Sequence, residues 1–370
     1  MKKVGIGFVG VGCISGIYLK NIKETFKEIE IIGVCDLVRE KAEKGLEEWG
    51  VDAKIYNDMY ELFADPAVDI VLNITRPYEH YEVTKAALLA GKHVYSEKPL
   101  GATYEEGKEL VALAEEKGLM LGGAPDTFLG AGIQTCRKLI DDGYIGTPIG
   151  AQAFMVGHGH ESWHPDPAFY YQFGGGPMMD MGPYYITALI NLMGGVKSVM
   201  GSTKKSFPTR TITSQPHFGE VVDVEVNTYV TGILNFDSGA IGTIFTTFDV
   251  HNSSTSNLEI YGTEGTLYIP DPNMFDGPVR LYRPEQGKVY EVPVTFDYRG
   301  NSRALGLADM AKSLQKGKKD FRCDYKQTAH VLEILCSFDK SSESGKLYEM
   351  ETKYERHEPM KLNPIRGILD

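Results

Sequence analysis

The stretch HVYSEKPLG at residues 93–101 places a lysine between a glutamate and a proline. The β-branched and aromatic residues before it predict a strand, and Lys98 follows that strand directly. Ligands of open α/β sheets bind where parallel strands end, and partial burial lowers the pKa of a lysine toward the range of a working acid or base. Lys98 is therefore a candidate for proton transfer, although Glu-Lys-Pro by itself is more often a solvated surface charge.

A second candidate site follows the first predicted strand. The run GVGCIS at residues 10–15 fits a phosphate-binding turn, because its two glycines allow a tight turn and let a pyrophosphate approach the backbone. The next helix would present its N-terminal N–H groups to that phosphate. Ser15 replaces the third glycine of the usual fingerprint, which is a mild departure. We predict that a dinucleotide is bound by Gly10, Gly12, Cys13 and Ile14.

Asp36 ends the second predicted strand, at the distance expected of the acid that binds the adenosine ribose. A carboxylate there accepts hydrogen bonds from both ribose hydroxyls and repels a 2′-phosphate. Leu37 and Val38 supply no basic clamp for a phosphate, although Arg39 is close. The sequence therefore favours NAD over NADP. The alternative for Asp36 is an ordinary residue that caps a helix.

Alternating strand and helix patterns position these residues. Runs such as EIIGVCD, DIVLNIT and HVYSE predict strands, and segments such as TYEEGKELVALAEEKG predict the helices between them. Strands separated by helices of this length form a parallel sheet that helices cover on both faces. We predict a doubly wound Rossmann domain over residues 1–123.

The pattern changes in residues 124–370, where β-rich runs such as VEVNTYVTGILNF and GAIGTIFTTFDV are separated by turn signals. They predict an α+β domain built on a large, mostly antiparallel sheet. Within it, IGAQAFMVGHGH is predicted as a strand and GGPMMDMGPYYITALINLMGG as one helix. The alternating apolar residues of VNTYVTGILNF would leave a sheet face able to pair with a second copy.

Composition narrows the functional classes. The net charge of −12 over 370 residues argues against a general nucleic-acid or anionic-membrane surface. No apolar run is long enough for a transmembrane helix. The five cysteines are odd in number and scattered, with no C-x-x-C pair, which predicts reduced thiols in a cytoplasmic protein.

Three segments make the chain resemble the Gfo/Idh/MocA oxidoreductases, the family named after glucose–fructose oxidoreductase and inositol dehydrogenase. They are the fingerprint at residues 10–15, ITRPYEHYEVTKAALLAGKHVYSEKPL at residues 74–100, and GGGPMMDMG at residues 174–182. In the middle segment a T-x-P, a histidine three residues after the proline, A-L-x-A-G-K-H-V and E-K-P follow in the family's order. The resemblance covers nearly the whole chain.

This resemblance implies that Lys98 lies beside the nicotinamide and handles the proton of a substrate hydroxyl or carbonyl. It also implies that the cofactor is bound by residues of the middle segment, namely Thr75, Arg76, His80, Glu97 and Lys98. The implied activity is NAD-dependent hydride transfer to or from a sugar, a sugar derivative or a cyclitol. The implied assembly is a homodimer or homotetramer that pairs through the C-terminal sheet.

The family's second catalytic element reads D-x-G-x-H, whereas this chain reads DMGPY at residues 180–184. A spacing of four residues puts Asp180 and Tyr184 on one face of a helix. We expect Asp180 to orient the substrate and Tyr184 to share the proton relay with Lys98. The sequence leaves open which of the two is the general base. It also leaves open a packed Tyr184, with Tyr185 facing the site instead.

The stretch GHGHESWHPDPAFYYQFGGG at residues 157–176 is the richest in polar and aromatic residues. Strand alternation would face His158 and His160 the same way, with His164 beyond them in a proline-rich loop. Because no helical ligand spacing is present, we predict no metal site. Histidine and tryptophan side chains suit the hydroxyls and the apolar face of a sugar, so we predict that Trp163, His164 and Tyr170 contact the substrate.

Two other functions stay open on the same fold. An NAD-dependent glycosidase would oxidise the sugar transiently, eliminate the aglycone and reduce the sugar again. A regulator that senses nucleotides without catalysis is disfavoured, because it would have no need of Lys98, Asp180 and Tyr184 together. Asp126 and Thr127 occupy positions where many relatives carry a basic residue, which indicates a different substrate chemistry.

Overall fold

The computed structural model describes residues 2–362 and 365–370, and the chain divides into two compact units. The first unit runs up to Gly130 and also takes in Phe296–Ala329 and His357–Asp370, and the second comprises Ala131–Thr295 and His330–Arg356. The domain boundary between residues 123 and 124 stays a prediction. Residues 1, 363 and 364 of the predicted domains lie outside the described residues.

The strands of the first unit form one sheet. They are β1 (Val4–Val9), β2 (Ile29–Cys35), β3 (Lys54–Ile55), β4 (Ile70–Asn73), β5 (His93–Ser96) and β6 (Leu121–Gly123). Within the described residues, all six pair in parallel in the order β3-β2-β1-β4-β5-β6. This order reverses beside β1, as in doubly wound sheets, and the predicted Rossmann fold is confirmed.

Helices connect these strands. They are α1 (Ser15–Glu24), α2 (Arg39–Trp49), α3 (Met59–Ala64), α4 (His80–Leu89) and α5 (Tyr104–Lys117), with 3₁₀ helices at Pro77–Glu79 and Thr127–Leu129. Local residues explain where α5 begins, because the Thr103 side chain and Glu106 form a reciprocal capping box. Gly118 ends the same helix in the left-handed conformation.

The second unit is built on a large sheet. Its strands are β7 (Pro148–Val156), β8 (Val196–Lys204), β9 (Thr209–Thr211), β10 (Val221–Asp223), β11 (Tyr229–Phe236), β12 (Ile241–Thr247), β13 (Leu258–Gly262), β14 (Thr266–Tyr268), β15 (Val279–Tyr282), β16 (Val289–Val292) and β17 (Tyr348–Glu349). Over the described ranges, nine of them pair in the order β16-β15-β14-β13-β7-β12-β11-β8-β17, and β9 pairs with β10 separately. Only β7 and β12 run parallel there, so the prediction of a mostly antiparallel sheet is confirmed.

The remaining helices are α6 (Ala131–Asp141), α7 (Pro177–Asp180), α8 (Gly182–Met193), α9 (Leu305–Gln315) and α10 (Tyr325–Ser344), with a 3₁₀ helix at Ala168–Tyr171. Every residue of α8 is buried, so this helix lies in the core of the second unit. Among the residues that the structure describes, no helix is both long and apolar enough to cross a membrane.

Candidate active site

The turn between β1 and α1 contains two glycines, one packed closely against the chain and one open. Gly10 has a φ of +94°, and a Cβ there would come within 2.9 Å of the Ile74 carbonyl oxygen. A Cβ added at Gly12 would have no described atom within 4 Å other than those of its chain neighbours. Both Gly12 and Cys13 are exposed. An open backbone directly before a helix start fits the pyrophosphate of a dinucleotide.

Asp36 is fixed by the backbone at the end of β2. Its Oδ2 accepts the Val11 N–H at 2.7 Å and its Oδ1 accepts the Val38 N–H at 2.8 Å. A carboxylate has about four acceptor positions, so acceptor capacity remains for two ribose hydroxyls. The nearby Arg39 donates to Glu43 Oε1 at 3.0 Å. This basic side chain is therefore already paired with a carboxylate.

Lys98 stands out from its neighbours after β5. In Val94–Leu100 it is half-buried, while the other six residues are buried, and the peptide bond between Lys98 and Pro99 is cis. We call residues 97–99 the lysine turn. The chain around Lys98 is thus part of the interior of the first unit, and its side chain remains partly accessible.

Tyr18 holds the lysine turn from α1. Its hydroxyl donates to Glu97 Oε1 at 2.6 Å, and Glu97 Oε2 accepts the backbone N–H of Lys98 at 3.1 Å. Tyr18 is fully buried and Glu97 is 8% exposed. Burial, reinforced by the Glu97 carboxylate, raises the pKa of Tyr18 well above its usual value, so this hydroxyl stays protonated and acts as a donor.

His80 holds the same turn from α4. The ring is buried, its Nδ1 lies 2.7 Å from the Pro99 carbonyl oxygen, and its Nε2 lies 3.1 Å from the Thr75 carbonyl oxygen. Burial lowers the pKa of His80, against the opposing effect of the two carbonyls. A neutral ring donates from one nitrogen, and the shorter contact assigns that donor to Nδ1.

Asn73, which the sequence analysis missed, connects the remaining predicted cofactor residues. Its amide nitrogen donates to the His80 carbonyl at 3.0 Å, its Oδ1 accepts the Thr75 hydroxyl at 2.7 Å, and its carbonyl accepts the Glu97 N–H at 2.7 Å. The signal was a polar residue that ends the fully buried strand IVLN. Arg76 is exposed and donates to the Tyr78 hydroxyl at 2.9 Å.

Asp126 and Thr127 are both 1% exposed, so they lie inside the first unit. Asp126 Oδ2 accepts the Gly306 N–H at 3.0 Å. Burial raises the pKa of Asp126 to about 6, the Gly306 hydrogen bond and Arg303 oppose this rise, and the charge of Glu97 adds to it. The altered substrate chemistry inferred from these two residues stays a prediction.

The predicted helix through Asp180 and Tyr184 is two helices, with Met181 between α7 and α8. Pro183 explains the break, because a proline lacks the N–H that would continue the helix and is accepted in the first turn of a new one. Tyr184 is 8% exposed and Tyr185 is 3% exposed. Burial raises the pKa of Tyr185, with a contribution from Asp271.

The expectation that His158 and His160 face the same way is wrong. Because β7 ends at Val156, strand alternation does not extend to them. Gly159 has a φ of +91°, and a Cβ there would lie 2.2 Å from the Tyr171 hydroxyl, so the chain turns at this glycine. His158 stacks on His251 with ring centroids 3.6 Å apart.

His160 turns instead toward a predicted catalytic residue. Its Nε2 lies 3.5 Å from Asp180 Oδ2, and its ring stacks on Tyr170 with centroids 3.8 Å apart and planes 9° apart. No spacing in the sequence relates residues 160 and 180. Within residues 2–362 and 365–370, no group of three or more histidine, cysteine, aspartate or glutamate residues is placed to hold a metal, and the absence of a metal stays a prediction.

Trp163 and Tyr170, two of the three predicted substrate contacts, pack on the His160 ring, and His164 donates its backbone N–H to the His160 carbonyl at 3.0 Å. The Trp163 indole is 62% exposed, with its centroid 5.3 Å from the His160 ring. His164 is half-buried and lies edge-on to Tyr170 at 5.3 Å. We call residues 157–176 the histidine loop. The rings of His160, Trp163, His164, Phe169 and Tyr170 form one cluster, which does not include the His158 ring on His251.

A buried ion pair anchors the histidine loop. The Arg210 guanidinium lies 3.3 Å from Glu161 Oε1 and 3.2 Å from Asp249 Oδ1, and it also donates to the Phe248 carbonyl. The side chains of Arg210, Glu161 and Asp249 are 6%, 11% and 4% exposed. The residue after His160 is thus fixed by charges that are largely removed from water.

Two protein-family models and several known proteins match this chain. Residues 4–123 match the model of an oxidoreductase family with an NAD-binding Rossmann fold, and residues 133–268 match that of the GFO/IDH/MocA C-terminal domain. An inositol 2-dehydrogenase/D-chiro-inositol 3-dehydrogenase of Lactiplantibacillus plantarum is 33% identical over 146 residues, which span 39% of this chain and 41% of that protein. The chain thus aligns with about two fifths of this relative's length.

Two further proteins match over nearly the whole chain. The scyllo-inositol 2-dehydrogenase (NAD(+)) of Bacillus subtilis is 25% identical over 364 residues, with 95% of this chain and 97% of that protein covered. The crystal structure of an NAD binding oxidoreductase from Klebsiella pneumoniae has a TM-score of 0.79 at 23% identity, with 94% of this chain and 99% of that chain covered. The structural likeness extends the fold assignment to both units.

Proposed function

Because the chain belongs to the Gfo/Idh/MocA family of oxidoreductases, we propose that it is an NAD-dependent dehydrogenase. Its substrate is a sugar, a sugar derivative or a cyclitol, with hydride transfer at a secondary hydroxyl or carbonyl. The named relatives from Lactiplantibacillus plantarum and Bacillus subtilis are inositol dehydrogenases, which supports this substrate class.

One observation carries the proposal. Lys98 is the only partly accessible residue in an otherwise buried run at the carboxyl end of β5, and Glu97 and Pro99 on its two sides are held by buried donors. A surface lysine with no function needs no such support. A lysine that exchanges a proton needs a fixed position, because proton transfer depends on hydrogen-bond distance.

The dinucleotide is held by the first unit. Gly10, Gly12, Cys13 and Ile14 cradle the pyrophosphate, and Asp36 accepts hydrogen bonds from the ribose hydroxyls. The paired state of Arg39 and the negative charge of Asp36 favour NAD over NADP. When bound, the nicotinamide supplies the hydride chemistry.

The remaining cofactor residues contribute in two ways. Thr75, Arg76 and Lys98 contact the cofactor in this proposal, because the first and last are half-buried and Arg76 is exposed. Glu97 and His80 are buried and hold the lysine turn. Lys98 and Tyr184 relay the proton of the substrate hydroxyl, and Asp180 orients the substrate. Trp163, His164 and Tyr170 bind the apolar face and the hydroxyls of the ring.

A homodimer or homotetramer that pairs through the C-terminal sheet is part of this proposal. Met200 and Ile233 are register partners on β8 and β11, and they are 40% and 43% exposed. Ile241 on β12 pairs with Asn235, two residues along β11 from Ile233, so it shares their face, and it is 55% exposed. This row of apolar side chains supports pairing with a second copy.

The test is formation of NADH from NAD with a panel of inositols, sugars and glycosides, with NADP in parallel. We expect NADH to form with at least one polyol, and faster with NAD than with NADP. Aglycone release without net formation of NADH would show that the protein is an NAD-dependent glycosidase and not a dehydrogenase. Cofactor binding without either reaction would indicate the regulator.

A further inference from the structure

The proposed function assigns no role to His160, although this residue contacts Asp180. Its Nε2 faces Asp180 Oδ2 at 3.5 Å, and the two side chains are 13% and 15% exposed. Both are thus largely removed from water and still reachable by a ligand. An imidazole and a carboxylate side by side offer a donor and an acceptor to a hydroxyl group, which is itself both donor and acceptor.

Aromatic rings fix the orientation of the His160 imidazole. Tyr170 covers one ring face at 3.8 Å, and the Phe248 ring meets it edge-on at 4.7 Å. Tyr170 in turn packs against a buried cluster of Tyr171, Val224 and Phe248. With its ring held in this way, His160 loses little further freedom when it binds a hydroxyl, which favours affinity.

The backbone of His160 is fixed as well. The next residue, Glu161, is paired with the buried Arg210, and its carbonyl accepts the N–H groups of Thr213 and Ser214 at 2.9 and 2.8 Å. His158 is a useful contrast, because it lies two residues away with its ring against His251. Of these two histidines of the histidine loop, His160 is the one in contact with Asp180.

We infer that His160 is a substrate-binding residue that works as one unit with Asp180. It holds the Asp180 carboxylate in one orientation, and the pair shares one hydroxyl of the substrate ring. No proton or hydride is transferred to His160 in this role. The inference rests on the proposed function, because the hydroxyl belongs to the proposed polyol substrate.

The experiment uses the full chain with NAD and the best polyol of the panel. The variants are His160→Ala, His160→Gln, which keeps an N–H donor, and the matched control His158→Gln. Each is made in the native chain and in an Asp180→Asn chain, and thermal unfolding verifies that each variant is folded. Initial rates give kcat and KM for the polyol and for NAD.

We expect His160→Ala to lower kcat/KM for the polyol by about 10- to 100-fold, with KM for NAD unchanged. His160→Gln should recover part of this loss, and His158→Gln should behave like the native chain. In the Asp180→Asn chain, His160→Ala should add little, because the two residues act as one unit.

Three results would count against the inference. If both His160 variants match His158→Gln while the native chain turns over, the inference is overturned and the proposed function stands. Full additivity with Asp180→Asn would show that His160 and Asp180 do not act as one unit. If the native chain oxidises and reduces no polyol, the proposed function fails, and the inference fails with it.

Discussion

The lysine turn of the first unit and the histidine loop of the second are fixed by different interactions. Neutral, buried donors hold the lysine turn, namely the Tyr18 hydroxyl on Glu97 and His80 Nδ1 on the Pro99 carbonyl. Stacked rings and the buried Arg210 ion pairs hold the histidine loop. The turn is thus stabilised by hydrogen bonds from residues of α1 and α4, and the loop by charged side chains and stacked aromatic rings.

We expect the largest effect on stability from removing the Arg210 side chain, which anchors the histidine loop. Arg210→Met leaves Glu161 and Asp249 buried without their cation, and we expect the free energy of unfolding to fall by about 3–5 kcal/mol. Urea unfolding measures this change. The control is Arg39→Met, whose ion pair with Glu43 is exposed and should change stability by less than about 1 kcal/mol. Equal losses of stability in Arg210→Met and Arg39→Met would contradict the difference between the buried and the exposed ion pair.

A smaller effect tests the neutral support of the lysine turn. Tyr18→Phe removes the donor to Glu97, and we expect a stability loss of about 1–3 kcal/mol and a fall in kcat of about tenfold, with the affinity for NAD retained. Tyr56→Phe is the matched control, because its buried hydroxyl donates to Asp65 at 2.7 Å, away from the turn. The control should lose stability and keep kcat. A normal kcat in Tyr18→Phe would show that the turn does not depend on this donor.

The smallest effect concerns pH. The pKa of Asp126 is about 6 in the folded chain, above the usual value of 3.8, so its stabilising contribution is complete below the unfolded value and is lost as pH rises through 6. Between pH 5 and pH 8 we expect the native chain to lose about 1 kcal/mol more stability than Asp126→Asn. Unfolding in urea at both pH values measures the difference. The same pH dependence in both chains would show that Asp126 does not titrate in this range.

The contrast also explains what could be predicted from sequence. The strand before Lys98, the turn at Gly10 and Asp36 at the end of β2 depend on local patterns, and the structure places them as the order of strands and helices requires. Tyr18 and Asn73 could not be assigned in the same way, because the hydrogen bonds between Tyr18 and Glu97 and between Asn73 and Thr84 depend on how the strands and helices pack.

Sequence patterns predicted less of the candidate site in the second unit than in the first. Strand alternation misplaced His158 and His160, because β7 stops at Val156 and the chain turns at Gly159. The spacing of Asp180 and Tyr184 predicted one helix, and Pro183 divides it into two. The contact between His160 and Asp180 joins a loop to a helix end, and no periodic pattern in the sequence encodes such a contact.

The central claim is that Lys98 serves NAD-dependent oxidation of a polyol. The most direct measurement compares the native chain with Lys98→Met for NADH formation, and it measures NADH binding by fluorescence in both. We predict a fall in kcat of about a thousandfold in Lys98→Met with NADH binding retained. A variant that keeps activity within about tenfold of the native chain would contradict the account, because general acid–base catalysis contributes more than that.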